Sequence, residues 1–231
     1  LNKAIKNPSS IALGDYHTCV IDGDGGKCWG YNSVGQTDVP SLKNPRSIAL
    51  GGHHSCAIDA DGVKCWGSND NGETDVPSLK YPRSIALGGS HTCAIDDDGV
   101  KCWGRNNFGQ TNVPPLKNPK SIALGSSHTC AIDGRRAKCW GYNNNGQTDV
   151  PLLKNPRSIT LGRFHTCAID EDRVKCWGYN NSGQTNVPSL KNPRSIFPGV
   201  YHSCAMDDDG VKCWGENAEG QTNIPSLKNP K

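Results

Sequence analysis

One phrase, His-Thr-Cys-Ala-Ile-Asp, then a turn and Val-Lys-Cys-Trp-Gly, returns six times with minor edits along 231 residues at a fixed step of 37. Its first cysteine stands at Cys19, Cys56, Cys93, Cys130, Cys167 and Cys204, and its second at Cys28, Cys65, Cys102, Cys139, Cys176 and Cys213. Trp29, Trp66, Trp103, Trp140, Trp177 and Trp214 keep the same step, with no insertion or deletion in between. A strict period of this length marks one supersecondary unit copied and packed against its neighbours. The whole of 1–231 therefore reads as a single domain of six tandem repeats.

Residues 47–77 show how one unit is built. Ser47-Ile48-Ala49-Leu50 is a short apolar run stopped by Gly51-Gly52, a strand and a turn. His54 to Asp59 is a second strand, Asp59-Ala60-Asp61-Gly62 its turn, and Val63 to Gly67 a third strand. A polar loop, Ser68 to Gly72, leads to a short fourth strand over Thr74 to Val76, ended by Pro77. Helical periodicity is missing, and Gly and Pro punctuate too often for helices. Four short antiparallel strands in ~40 residues have the size of a propeller blade. The expected fold is an all-β, six-bladed β-propeller of 37-residue repeats. The terminal segments 1–9 and 223–231 are the same part of the repeat, so one copy is expected to close the ring and the other to lie outside it.

Only 34% of the residues are hydrophobic, against ~45–50% in an ordinary domain. Such repeats need their neighbours, and they need staples. Twelve cysteines that pair off within repeats read as a disulfide framework made in an oxidising compartment. Opposing Cys56 and Cys65 places Ile58 across from Val63 and leaves a four-residue loop, a common hairpin connection. Each bond would close a ten-residue loop, for which chain entropy gives roughly 2.5–3 kcal/mol. The rival is zinc on His17, Cys19, Cys28 and their equivalents. Zinc favours four ligands and Cys-x₂₋₄-Cys spacing, whereas no Cys-x-x-Cys occurs. The turns Asp96-Asp97-Asp98-Gly99 and Asp207-Asp208-Asp209-Gly210 lack the downstream Glu of a calcium loop. Asp133-Gly134-Arg135-Arg136 and Asp170-Glu171-Asp172-Arg173 break any shared metal pattern. The reading is no metal and no cofactor. His17, His54, His91, His128, His165 and His202 are expected to bond loop backbone at strand starts, as Asn32 and Asn69 do in the following loop.

At this point the residues resemble a known family. The pattern Gly-x-x-His-Thr-Cys-Ala-Ile-Asp-x-Asp-Gly-x-Lys-Cys-Trp-Gly-x-Asn-x-x-Gly-Gln, complete over 88–110, resembles the repeat of the regulator of chromosome condensation family. The short blade with Gly-Gln-Thr-Asp-Val-Pro is similar to bacterial secreted members, including the type II β-lactamase inhibitory protein. The resemblance covers all six copies and implies a propeller. It leaves the activity to be argued from the site.

No Gly-x-Ser-x-Gly, phosphate loop or paired-carboxylate cleft breaks the symmetry, so the chain reads as a non-enzyme. The repeat has two unlike ends. The Ser-Leu-Lys-Asn-Pro-Arg linker end is nearly constant, while the end carrying the loop before each histidine and the loop after each Trp-Gly changes from copy to copy. Seven of the chain's nine Tyr and Phe residues fall in those variable loops. Tyr16, Tyr31, His53, Arg105, Phe108, Tyr142, Arg163, Phe164, Tyr179 and Tyr201 are the candidate ligand-binding residues, a Tyr and Arg mixture that binding loops favour. Tyr16, Tyr31, Phe164, Tyr179 and Tyr201 are expected on one face.

The reading that follows is a secreted recognition protein that docks on an extracellular protein, with enzyme inhibition the version the resemblance implies. A multivalent glycan-binding lectin is the alternative, with Asn32, Gln36 and Trp29 lining repeated pockets. Tyr31, Ser68, Arg105 and Glu216 differ too much to make one pocket chemistry. A chromatin or small-GTPase regulator is the third reading, opposed by the cysteines. A net charge of +3 argues against nucleic acid. No apolar run is long enough for a membrane span. The chain is expected to be a mature secreted form, of a symmetry the sequence does not fix.

Overall fold

The computed structural model describes residues 5–226. They form eighteen β-strands and no helix, arranged as six three-stranded antiparallel sheets. The blades span 10–30, 47–67 and 84–104, then 119–141, 156–178 and 195–215. The chain falls into two compact units divided between Leu116 and Lys117, with three blades in each. The expected all-β class and six repeated blades are present. The closure of segments 1–9 and 223–231 involves residues 1–4 and 227–231, which lie outside the described residues.

Blade 2 shows the construction. Its strands are Ser47–Leu50, His54–Asp59 and Gly62–Gly67. Cys56 pairs with Cys65 and Ile58 with Val63, the register anticipated from the cysteine spacing. The Cα atoms of Cys56 and Cys65 are 4.1 Å apart, the close approach of a non-hydrogen-bonded antiparallel pair. Every blade holds the equivalent disulfide. The oxidised protein should therefore weigh twelve hydrogens less than the fully reduced chain and show no free thiol on titration. Stoichiometric zinc in place of that mass difference would contradict the pairing.

The hairpin turn is tighter than the sequence suggested. Asp59 pairs with Gly62, so only Ala60 and Asp61 form the loop rather than four residues. Gly62 adopts φ +127°, as do Gly25, Gly99 and Gly210 within about 10°. Blades 4 and 5 carry Arg136 and Arg173 at that place, and there the positive φ moves to Gly134 (65°) and Glu171 (54°). The arginines thus mark a second turn geometry.

The fourth strand is absent among the described residues. Thr74 to Val76 belongs to a compact loop that satisfies its own backbone. The Gly72 N–H donates to the Asn69 carbonyl (3.2 Å), that of Asp75 to Gly72 (3.1 Å) and that of Val76 to Thr74 (3.0 Å). The Asn69 side chain accepts from the Thr74 N–H (3.0 Å) and donates to the Asp75 carboxylate (2.8 Å). With these groups engaged, no ladder is left to form, and Pro77 cannot donate.

The core lies between blades. The Cys19 and Ile21 side chains of blade 1 pack with Ile48, Leu50, Ala57 and Trp66 of blade 2. In the second unit Cys130 and Ile132 meet Ile159, Ala168 and Trp177. Cys167 and Ile169 meet Ile196, Ala205 and Trp214 in the same way. In these three cases the disulfide serves as apolar filling for the neighbouring blade, which helps a chain poor in hydrophobic residues to bury surface.

Candidate functional site

A repeated polar relay holds the loop end of the blades. The Ser55 hydroxyl donates its one proton to the Gln36 carbonyl (2.8 Å), and the Trp66 indole donates to the same oxygen (3.0 Å). Ser55 must then accept from the His17 Nε2–H, 2.8 Å away. His54 with Thr92 (2.9 Å), His128 with Thr166 (3.0 Å) and His165 with Ser203 (2.8 Å) repeat the contact. Four of the six histidines therefore bond a hydroxyl of the next blade, not loop backbone as expected from the sequence. The hydroxyl already donates elsewhere, which fixes the Nε2–H tautomer.

Nδ1 of His17, His54, His128 and His165 is buried with no hydrogen-bond partner among the described residues. Burial is the main cause that lowers the pKa of His54 and His165 to about 4 and of His128 to about 3. The fold favours their neutral form, so their contribution to stability is complete above the unfolded value of ~6.5. It is lost as pH falls from there through about 4. Each contributes up to ~1.4 kcal/mol per pH unit within that window. Burial opposes the charged form of Asp59, but the Lys43 N–H, the Lys64 ammonium and the Asp61 N–H outweigh it and lower its pKa. Such aspartates lose their contribution as pH falls below the unfolded carboxylate value of ~3.9, at more acid pH than His54 and His165. Urea unfolding at pH 7, 5.5 and 4.5 should show the steep histidine loss, and equal midpoints at all three would contradict it.

The relay leaves the two variable loops side by side. The N–H of the residue after Trp-Gly donates to the carbonyl of the residue before the histidine. Tyr31 bonds Tyr16 (2.9 Å), Ser68 bonds His53 (2.9 Å), Arg105 bonds Ser90 (2.9 Å), Tyr142 bonds Ser127 (2.9 Å) and Tyr179 bonds Phe164 (3.0 Å). The next blade then contributes a third side chain. In the first unit Tyr16 stacks on His53 at 5.2 Å between ring centroids, and Tyr31 lies 6.0 Å from Tyr16 and 5.9 Å from His53. In the second unit Phe164 lies 6.2 Å from both Tyr179 and Tyr201, with those two 5.9 Å apart. The Arg163 guanidinium sits 5.2 Å from the Phe164 ring, within cation–π range.

Six of the ten candidate residues thus collect into two aromatic triads at equivalent positions, one in each unit, and a seventh, Arg163, lies against the second. Tyr16 and Tyr31 are 59% and 50% exposed. Phe108 is exposed in its own loop, its N–H bonded to Gln110 Oε1 (2.9 Å), and Arg105 and Tyr142 are half-buried. The sequence carried the triads as aromatic or imidazole residues at steps of 15 and 37, a signal visible only once neighbouring repeats are set side by side. Of the residues of the lectin alternative, Trp29 is exposed, while the other two are otherwise engaged. Gln36 is fully buried, and the Asn32 side chain bonds the Thr37 N–H and the Asp38 carboxylate. Among the described residues no three His, Cys, Asp or Glu side chains group as metal ligands.

The model of the regulator of chromosome condensation (RCC1) repeat matches residues 46–73, 83–110, 157–184 and 195–221. Four of the six repeats thus match the regulator of chromosome condensation repeat. The receptor kinase CR4 ectodomain of Physcomitrella patens is 24% identical, with TM-score 0.78 over 94% of this chain and 66% of that one. This repeat chain thus spans slightly under two thirds of that ectodomain. Prp20p of Saccharomyces cerevisiae is 20% identical, with TM-score 0.78 over 95% of this chain and 74% of that one. Human WBSCR16 is 16% identical, with TM-score 0.78 over 98% and 81%. At these identities the likeness shows the fold, a repeat β-propeller. No curated protein sequence matches the chain.

Proposed function

We propose that this repeat protein is a secreted, non-catalytic recognition protein that docks on an extracellular protein partner through its aromatic triads. The observation that carries the reading is the pair of triads, Tyr16–Tyr31–His53 and Phe164–Tyr179–Tyr201, recurring at the same positions of two units, whereas the equivalent set in every other blade is interrupted by Ser, Arg or Glu. The rings of the first triad are exposed and those of the second half-buried with Arg163 beside them, and pre-packed aromatics with an arginine have the composition of binding hot spots. A mosaic of unlike loops suits one asymmetric partner better than six equal sugar sites.

Two further observations support the compartment and the partner class. Six intrachain disulfides favour an oxidising environment, and one structural neighbour is a receptor ectodomain. Prp20p is described by its binding to Gsp1p and histones, which supports protein binding on this scaffold in general. Among the described residues no helix is long and apolar enough to cross a membrane. Enzyme inhibition is the version of the reading that the short-blade resemblance favours.

The test is recovery from extracellular fluid on immobilised protein, comparing wild type with Tyr31→Ala and Tyr179→Ala. The reading expects one protein enriched on wild type and depleted on both variants. A glycan array run beside it separates the lectin alternative, which expects sugar-inhibited binding untouched by either substitution.

A further inference from the structure

At the linker end of the first unit, opposite the aromatic loops, blades 2 and 3 enclose a groove of about 400 Å³ lined by Arg46, Ser47, Ile58, Tyr81, Pro82 and Arg83. Tyr81 stands where the other five repeats carry asparagine: Asn7, Asn44, Asn118, Asn155 and Asn192. Its backbone is left-handed, with φ +52° beside +49° at Asn44 and +51° at Asn192. Asparagine tolerates that conformation because its side chain is short and polar, and that of Asn192 also donates to the turn carboxylate of Asp208 (2.6 Å). A tyrosine gains no such bond and is an outlier there. Its side chain nonetheless projects outward, 75% exposed.

The charges of the groove differ from those around it. The lysines of this end pair with turn aspartates, as Lys64 with Asp59 (2.7 Å) and Lys101 with Asp96 (2.9 Å). Arg83 meets only the rim carboxylate of Asp97 at 4.0 Å. Arg46 has no carboxylate within 4.0 Å among the described residues, because Ala60 occupies the turn position that Asp97 holds in blade 3. Instead each arginine anchors one nitrogen to a turn carbonyl, Arg46 to Asp59 (3.5 Å) and Arg83 to Asp96 (3.0 Å). Two guanidiniums with remaining donors thus bracket a groove whose floor is Ile58 and whose rim is an aromatic ring.

We infer that this groove binds an anionic saccharide residue, its carboxylate or sulfate ester held by Arg46 and Arg83 and its C–H face laid on Tyr81. Guanidiniums match such oxygens with paired donors. A flat exposed ring beside Pro82 supplies the apolar platform a sugar face needs, and the volume lies low in the ~300–1,000 Å³ range of small-molecule sites. The site is single, unlike a lectin pocket repeated in every blade, and it is independent of the partner-binding loops.

The experiment is calorimetric titration of the whole protein with four probes: a galacturonate hexamer, a heparin-derived hexasaccharide, a neutral glucose hexamer and hexaglutamate. Saturable binding at one site is expected for at least one acidic sugar and for neither control, and the tighter acidic sugar separates carboxylate from sulfate recognition. Tyr81→Asn restores the residue of the other repeats, so its melting temperature should be unchanged or higher while its affinity drops tenfold or more. Arg46→Gln should weaken binding as much. The inference is overturned if neither acidic sugar binds, if Tyr81→Asn binds like wild type, or if hexaglutamate binds as tightly as the sugars. The last result would assign the groove to an acidic peptide.

Discussion

Replacing Gly51 by alanine is expected to destabilise the protein by about 3 kcal/mol or more, although it adds a single methyl group. A Cβ at Gly51 would stand 2.5 Å from the Gly88 carbonyl oxygen and 2.5 Å from Cε1 of His54. Neither neighbour can retreat. The carbonyl belongs to the next blade, where Gly88 bonds the His91 carbonyl (2.8 Å). The ring is fully buried and tied through Nε2 to Thr92. Gly62→Ala provides the contrast. Nothing lies within 4 Å of its Cβ, and only its φ of +127° opposes the change. It should cost about 1 kcal/mol, the conformational penalty alone. Urea midpoints of the two variants check the ordering, and equal losses would show that blade-to-blade packing around the histidines is looser than described.

Alanine at Tyr179 is expected to weaken partner binding by about 2 kcal/mol, roughly thirtyfold, with little loss of stability. Tyr179 lies 6.2 Å from Phe164 and 5.9 Å from Tyr201, so its ring is held in place by its neighbours before any partner arrives. Little side-chain freedom then remains to be lost on binding, which favours affinity. Its position in the loop is set by a backbone bond to the Phe164 carbonyl that alanine retains. The fold should therefore survive. Tyr31→Ala should behave in the same way in the first unit.

The sequence and the structure agree where the information is local or periodic. The step of 37 gave the six blades, and the nine-residue cysteine spacing gave the hairpin register down to Ile58 opposite Val63. They part where a residue's partner lies in another repeat or where a side chain outcompetes the ladder. Thr74 to Val76 looks like a strand by composition, but the Asn69 amide draws that backbone into a turn. The histidines looked like loop binders because the hydroxyl that holds each one lies 38 residues away, in the next blade. The variable loops were legible as a list of aromatic positions. Their gathering into threes was not, since it depends on a backbone bond across one blade and a ring supplied by the next. Tyr81, the odd residue at an asparagine position, was not legible as a site, because its meaning depends on the left-handed backbone and the two arginines beside it.

The central claim is that the triads carry recognition. It is tested most directly by measuring, on one purified partner, the dissociation constants of wild type, Tyr31→Ala, Tyr179→Ala and Tyr81→Asn. Losses of roughly thirtyfold at both triad tyrosines, with Tyr81→Asn equal to wild type, are the expected result. Unchanged affinity at Tyr31 and Tyr179 would contradict the claim.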